Sequence, residues 1–347
     1  RDFNQFSNHL GMIYSNSDDA DLTTKSLCIK WLVLCVSTFR HLPLSFGNDQ
    51  HIMAINHRRS NRVENQSYAA FVSWRNLPLF ALFALFWLLT RLPFSWLLPL
   101  GRGVGRLAFY ALPSRRKVCE TNINLCFPEL NADEQQGLVK RVFLSFGQGL
   151  MESAYAWSRD LSNLANKTTI TGLEHIAAAQ AKGRGVLLVG GHFALIDLAS
   201  GLLGREQEFH AVQRDHDNPL FNLWMTRARL KSAKGTVARK DLRGMLRVLK
   251  SQQVLWYAPD QDYGRLNSVF IPFFNIATAT ITGTSRLSQL GHADVVPIFF
   301  YRTATGDYRL ELSAPLPIPS GDNETDALCF NQWLETQVRR YPEQYLW

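Results

Sequence analysis

Cysteine is scarce and scattered in this 347-residue chain: Cys28, Cys35, Cys119, Cys126 and Cys329 are the five, with no CxxC pair and no histidine at a zinc-ligand spacing. A disulfide scaffold and a structural zinc site are thereby excluded, and an odd, dispersed set suits a reduced compartment. The phosphate-cradling GxxxxGK[ST] loop, the GxSxG nucleophile elbow and the HExxH metal helix are missing too. Without them a P-loop NTPase, a GxSxG serine hydrolase and a zincin have no support. No self-similarity recurs at about 20 to 50 residues, which excludes a solenoid or propeller. Acidic residues are also in short supply, 29 Asp and Glu against 37 Lys and Arg, for a net charge of +8. The imbalance is local: between Trp224 and Lys250, Arg227, Arg229, Lys231, Lys234, Arg239, Lys240, Arg243, Arg247 and Lys250 face Asp241 alone. Such a window is either a solvated helical face or a surface for phosphates, anionic lipid or an acidic protein. No RNP or helix-turn-helix signature accompanies it, so nucleic acid is not expected as a partner.

What is present is an apolar, aromatic-rich composition, 46% hydrophobic and 12% aromatic, which rules out disorder for the bulk of the chain. The uncharged run "LPLFALFALFWLL", Leu77 to Leu89, lies between Arg75 and Arg91. Its 13 residues would reach roughly 20 Å as a helix, short of the ~30 Å hydrocarbon core. Extended to Leu100 it is long enough but takes in Arg91, Pro93 and Pro99. A kinked single span is the preferred expectation, with a half-buried interfacial hairpin as the alternative. Arg102, Arg106, Arg115, Arg116 and Lys117 follow at once, as suits an anionic cytoplasmic leaflet. Residues 1–76 are read as a loosely ordered extension, with Met53 a candidate alternative start. The short run Ile29 to Phe39 lacks the features of a signal peptide.

From about residue 114 helical and strand patterns alternate. Leu138, Val142, Phe146 and Leu150 line one helical face, "GVLLV" reads as a buried strand, and "NPLFNLWMTRARLK" as a helix opening at Asn-Pro. "VVPIFFYR" and "YRLELS" form a strand pair joined at Thr303 to Asp307. The expectation is an α/β fold with a largely parallel sheet flanked by helices, finished by an antiparallel pair, and with functional residues beyond the carboxyl ends of the strands.

In "GVLLVGGHFALIDLASG", His192 precedes Asp197 by five positions. Nine histidines and 29 acids in 347 residues produce roughly 0.7 such pairs by chance. A second pair, His210 with Asp215, indeed occurs. That one sits on a strand, where an odd spacing sends the side chains to opposite faces, so His210 is read as structural. His192 instead follows a strand and the flexible Gly190 and Gly191. Residues five apart on a helix diverge by about 140°, so His192 must lie in the turn before the helix if Asp197 is to reach back to its ring. A histidine held in one tautomer by a carboxylate deprotonates a hydroxyl as it attacks a carbonyl carbon.

"GGHFALIDLASG" resembles the HxxxxD motif of the glycerolipid acyltransferases, and its surroundings resemble the late acyltransferases of lipid A biosynthesis, the Kdo2-lipid IV(A) lauroyltransferase group. The blocks carrying the likeness include "NLCFPEL", "GLMESAYAW", "DNPL", "RKDLRGML", "WYAPDQDYG", "SVFIPFF", "TGTSRL" and "RRYPEQYLW", collinear from about Leu77 to Trp347. The resemblance implies a glycerolipid-acyltransferase-like fold with an N-terminal membrane-anchoring helix over 77–113 and a cytoplasmic acyltransferase domain over 114–347, at the cytoplasmic face of the inner membrane. It implies acyl carrier protein as donor, a lipid A precursor as acceptor, and no cofactor or metal. His192 would be the general base and Asp197 its orienter. Arg239, then Arg214 and Lys240, would bind phosphate or an oxyanion, and Asp260, Asp262 and Tyr263 would stand at the acceptor pocket. By the same resemblance, residues 1–76 have no counterpart and a basic tail after "PEQYLW" is absent. A lysophosphatidic acid acyltransferase and a non-catalytic basic scaffold are the alternatives.

Overall fold

The computed structural model of the protein describes residues 67–261 and 268–347. Asp262, Tyr263 and most of the N-terminal stretch 1–76 lie outside the described residues.

Helices α1 (Leu77–Leu89), α2 (Phe94–Ala111), α3 (Pro113–Cys126) and α4 (Ala132–Ser158) come first. There follow β1 (Thr168–Thr171), α5 (Glu174–Ala181), β2 (Gly185–Val189), α6 (Ile196–Leu203), β3 (His210–Gln213), α7 (Pro219–Arg229), β4 (Gly235–Ala238), α8 (Leu242–Lys250) and β5 (Val254–Tyr257). The chain closes with β6 (Ser268–Phe273), β7 (Ile276–Ile281), α9 (Gly283–Gly291), β8 (Ala293–Arg302), β9 (Tyr308–Leu312) and α10 (Asn323–Arg340). Local chemistry sets several boundaries. Asn131 caps α4 in a reciprocal box with Glu134, and the Asn218 side chain accepts from Phe221 N ahead of Pro219 at the start of α7. Gly291 is the last residue of α9, and His292 makes the left-handed stop, at φ 51°.

The main sheet runs β1-β9-β8-β2-β5-β3-β4, parallel throughout except where β8 meets β9. It is largely parallel and closed by an antiparallel pair, as the alternation implies, while the hairpin of β6 with β7 adds a separate small sheet. The strand β2 is buried at all five positions, as expected of a central parallel strand. The paths from β2 through α6 to β3 and through α7 to β4 step one way across the sheet, and α8 returns from β4 to β5. Right-handed crossovers therefore place α6 and α7 on one face and α8 on the other. The contacts agree: α4 packs on α6 and α7, while α8 packs on α9 and the strands.

The expected single membrane span finds no support among the described residues. Helix α1 stops at Leu89, Pro93 precedes a new helix, and among the described residues no helix is long and apolar enough to cross a membrane. The break follows from the proline, which supplies no N–H to continue the ladder. Helix α2 instead lies tightly on α4, where a Cβ at Gly101 or Gly105 would collide with the α4 backbone at Gly147 or Phe143. Trp74, Leu88, Trp87, Trp96, Leu107 and Tyr110 are each more than half exposed on the outer surface of this helical pair and its approach.

Candidate active site

Strands β2 and β5 are neighbours in register, Val189 opposite Tyr257. Their connections leave toward opposite faces, α6 toward α4 and α9 toward α8, so a crevice opens beyond their carboxyl ends. His192 and Asp260 each stand three residues past that register pair. They meet there: Asp260 Oδ1 lies 2.5 Å from His192 Nδ1, and Asp260 Oδ2 accepts the His192 backbone N–H at 2.7 Å. The Tyr345 hydroxyl donates to Oδ2 at 3.2 Å. The Asp260 side chain is 2% exposed and the His192 side chain 23%. Burial pushes the Asp260 carboxyl up, but the charge and the ring and backbone hydrogen bonds of His192 outweigh it and hold the carboxyl below its ordinary value. With Nδ1 bound to a carboxylate, Nε2 is the ring nitrogen left to take up a proton.

The ring partner is thus Asp260, not Asp197. Asp197 sits in the first turn of α6 and binds Arg229, whose Nε and Nη2 both lie 3.1 Å from Oδ1. Parallel strand register, not spacing along the chain, decides which carboxylate reaches the ring. Asp260 correspondingly stands behind the histidine instead of in the cavity wall. The glycines before His192 serve close packing: a Cβ on Gly191 would stand 2.7 Å from Leu334 Cδ1 and 3.3 Å from Asp260 Oδ2.

The carboxyl-terminal segment braces this turn. Ala194 N donates to Gln344 O at 2.8 Å, Leu346 N donates to His192 O at 3.1 Å, and Phe193 bridges Tyr345. Gln344 is itself locked to β8, its side chain accepting from Arg302 N and donating to Arg302 O. Beneath it the Arg302 guanidinium binds Glu152 of α4 through Nε at 2.7 Å and Nη2 at 2.5 Å, and Tyr308 donates to the same carboxylate. Glu152 is fully buried, so the pair is satisfied by geometry rather than by water.

His192 opens onto a cavity of about 150 Å³. Its walls are mainly apolar and aromatic, from Phe86, Phe146, Leu150, Trp157, Phe221 and Trp224, and Phe83 stacks on Trp224 at 4.1 Å between ring centroids. Asp197, Arg214, Arg229 and Arg239 line it as well, so three guanidinium groups border an otherwise apolar space. Lys240 is exposed and outside the lining. Trp224 lines the cavity, whereas Phe270, Phe273 and Phe274 do not. His210, in contrast, bonds Gln253 Oε1 at 2.7 Å near the amino end of β3.

Sequence reasoning missed the Asp260 ring bond, Arg229 and the Tyr345 brace. The first was within reach, because "WYAPD" and "LLVGGH" place the two residues at equal offsets from adjacent strands; the other two carry no local signal.

An α/β sheet with a carboxylate-held histidine at its strand ends, facing an apolar cavity rimmed by guanidiniums, is the arrangement of a candidate enzyme site. Residues 69–347 match the model of the bacterial lipid A biosynthesis acyltransferases. The chain is 40% identical over 264 residues to the lipid A biosynthesis lauroyltransferase of Escherichia coli K12, covering 75% of this chain and 86% of that protein. The palmitoleoyltransferase of the same organism is 36% identical over 263 residues, covering 75% and 86%, and its myristoyltransferase 28% over 252, covering 72% and 77%. The chain belongs to the bacterial lipid A biosynthesis acyltransferase family and is an acyltransferase.

Proposed function

We propose that the protein transfers a fatty acyl group from acyl carrier protein to a hydroxyl on an acyl chain of Kdo2-lipid IV(A), with His192 as general base. The carrying observation is the His192 ring, held at Nδ1 by the ionised Asp260 while it borders the apolar, guanidinium-rimmed cavity. The acceptor hydroxyl attacks the thioester carbonyl as its proton passes to Nε2. The oxyanion so formed collapses, the carbon–sulfur bond breaks, and the departing thiolate takes the proton back from the imidazolium. Arg229, oriented by Asp197, together with Arg239 and Arg214 supplies positive charge for the oxyanion and for the phosphates of the acceptor. Asp197 is in this reading a positioning residue for Arg229.

The enzyme sits on the cytoplasmic face of the inner membrane, with α1 and α2 dipping into one leaflet. Exposed Trp74, Trp87, Trp96 and Tyr110 suit the headgroup level, and Arg75, Arg91, Arg102 and Arg106 beside them suit anionic lipid. The test is mass spectrometry of the lipid product made from Kdo2-lipid IV(A) and a defined acyl carrier protein pool, with lysophosphatidic acid assayed in parallel. One added acyl group on the lipid A precursor is expected from the wild type and none from a folded His192→Ala variant. Full activity in that variant sinks the mechanism, and acylation of lysophosphatidic acid alone moves the assignment to phospholipid synthesis.

A further inference from the structure

Helices α8 and α9 pack side by side on the face of the sheet opposite α6 and α7. Helix α8 buries Gly244, Met245, Val248 and Leu249 and turns Arg243, Arg247 and Lys250 outward, at spacings of four and three. Arg286 of α9 is exposed beside them, and Lys240 is exposed just before α8. Neither helix contains an acidic residue. Asp241, ahead of α8, is turned to the helix end as its cap at Gly244 N, and Asp294, after α9, is paired with Arg184. Like charges four positions apart oppose one another on a helix, and α8 keeps both Arg243 and Arg247 at its surface.

Its position argues for a protein rather than a lipid as occupant. The exposed tryptophans lie on α1, α2 and their approach, which pack against α4 on the other side of the sheet. An enzyme seated on a membrane by those helices presents α8 and α9 to the aqueous phase. The nine residues of α8, about 14 Å long, begin three positions after Arg239, which lines the cavity. A carrier docked along α8 would hold its thioester arm at the cavity's Arg239 wall.

We infer that the outward faces of α8 and α9, through Arg243, Arg247, Lys250 and Arg286 with Lys240, are the docking surface for an acidic carrier protein that bears the acyl group on a flexible thioester arm. The inference rests on the donor reading above. Complementary charge of this kind governs encounter and KM more than the chemical step.

The experiment compares the full chain with its Arg243→Glu/Arg247→Glu/Arg286→Glu variant. Fluorescence anisotropy measures binding of lauroyl-loaded Escherichia coli acyl carrier protein, and kinetics compare that donor with lauroyl-pantetheine, which lacks the protein. The reversal is expected to raise Kd and KM for the carrier by about tenfold or more, to abolish the salt dependence of binding, and to leave kcat and transfer from lauroyl-pantetheine unchanged. A parallel Arg→Gln variant gives an intermediate shift and an unchanged thermal midpoint. Equal losses with both donors, or no loss with the carrier, overturn the inference. So does reduced binding to phosphatidylglycerol vesicles with carrier binding intact, which assigns the face to lipid. Salt-sensitive carrier binding through this face by a protein that transfers no acyl group upholds the docking surface and rejects the catalytic reading.

Discussion

His192 and His210 each stand five residues before an aspartate, and the structure treats them in opposite ways. His210 lies at the amino end of β3, half-buried, bonded to the neutral Gln253. His192 lies past the carboxyl end of β2, bonded to the buried Asp260 and open to the cavity. In this parallel sheet the carboxyl ends converge on a crevice, so position along the strand, not spacing, separates an imidazole open to the cavity from one packed at the far end. The two also differ in support. The turn at His192 is clamped by Gln344 and Leu346 and, through Gln344, by the Arg302–Glu152 pair, whereas the Gln253 bond is what the His210 ring has.

The widest separation is expected in turnover. His192→Ala is expected to lower kcat/KM at least about 10³-fold and His210→Ala by about twofold or less, measured as acyl transfer at fixed donor. Comparable losses in the two variants would erase the distinction. Next, Asp260→Asn keeps the shape but offers an amide to Nδ1, and about 10²–10⁴-fold of kcat is expected to be lost. Asp197→Asn, which loosens Arg229 instead, should cost about tenfold; if it proves the more damaging of the two, the ring partner has been misassigned.

A third test attacks the brace. Glu152→Gln leaves the buried Arg302 without its counter-charge and is expected to destabilise the fold by about 3–5 kcal/mol in denaturant melts, with activity falling at temperatures where the variant is still folded. Unchanged stability would mean the pair does not clamp the carboxyl-terminal segment. The smallest effect belongs to His210. Burial, opposed by the Gln253 bond, holds its imidazole below the ordinary 6.5. The unfolded chain therefore binds the proton first, so stability is full above about pH 6.5 and is lost as pH falls through the folded value. His210→Gln should flatten that slope in thermal midpoints between pH 7 and 5 while leaving the pH profile of turnover in place.

Much of the architecture was legible because it rests on local rules. Apolar runs announced β2, β8 and β9, helical spacing announced α4, and Asn218–Pro219 announced the start of α7. The kinked span expected over this run is not supported among the described residues, where Pro93 ends one helix and begins another and Gly101 and Gly105 hold the second close to α4. Arg239 and Arg214, expected from the resemblance to bind phosphate or an oxyanion, both line the cavity, whereas Lys240, one residue on from Arg239, is exposed outside it. Alternation along a chain beyond a strand end is not visible in charge alone.

The sequence by itself determined the family and the largely parallel α/β sheet, and it singled out His192 as the candidate base, since these follow from periodicity, turn chemistry and collinear motifs. Only the tertiary structure decided which acid serves the ring. Asp197 is near in sequence but is turned to Arg229 by α6, while Asp260, 68 positions away, arrives because β5 lies in register beside β2. A hydrogen bond depends on distance and direction in space, and in a parallel sheet those are set by strands that the chain itself keeps far apart.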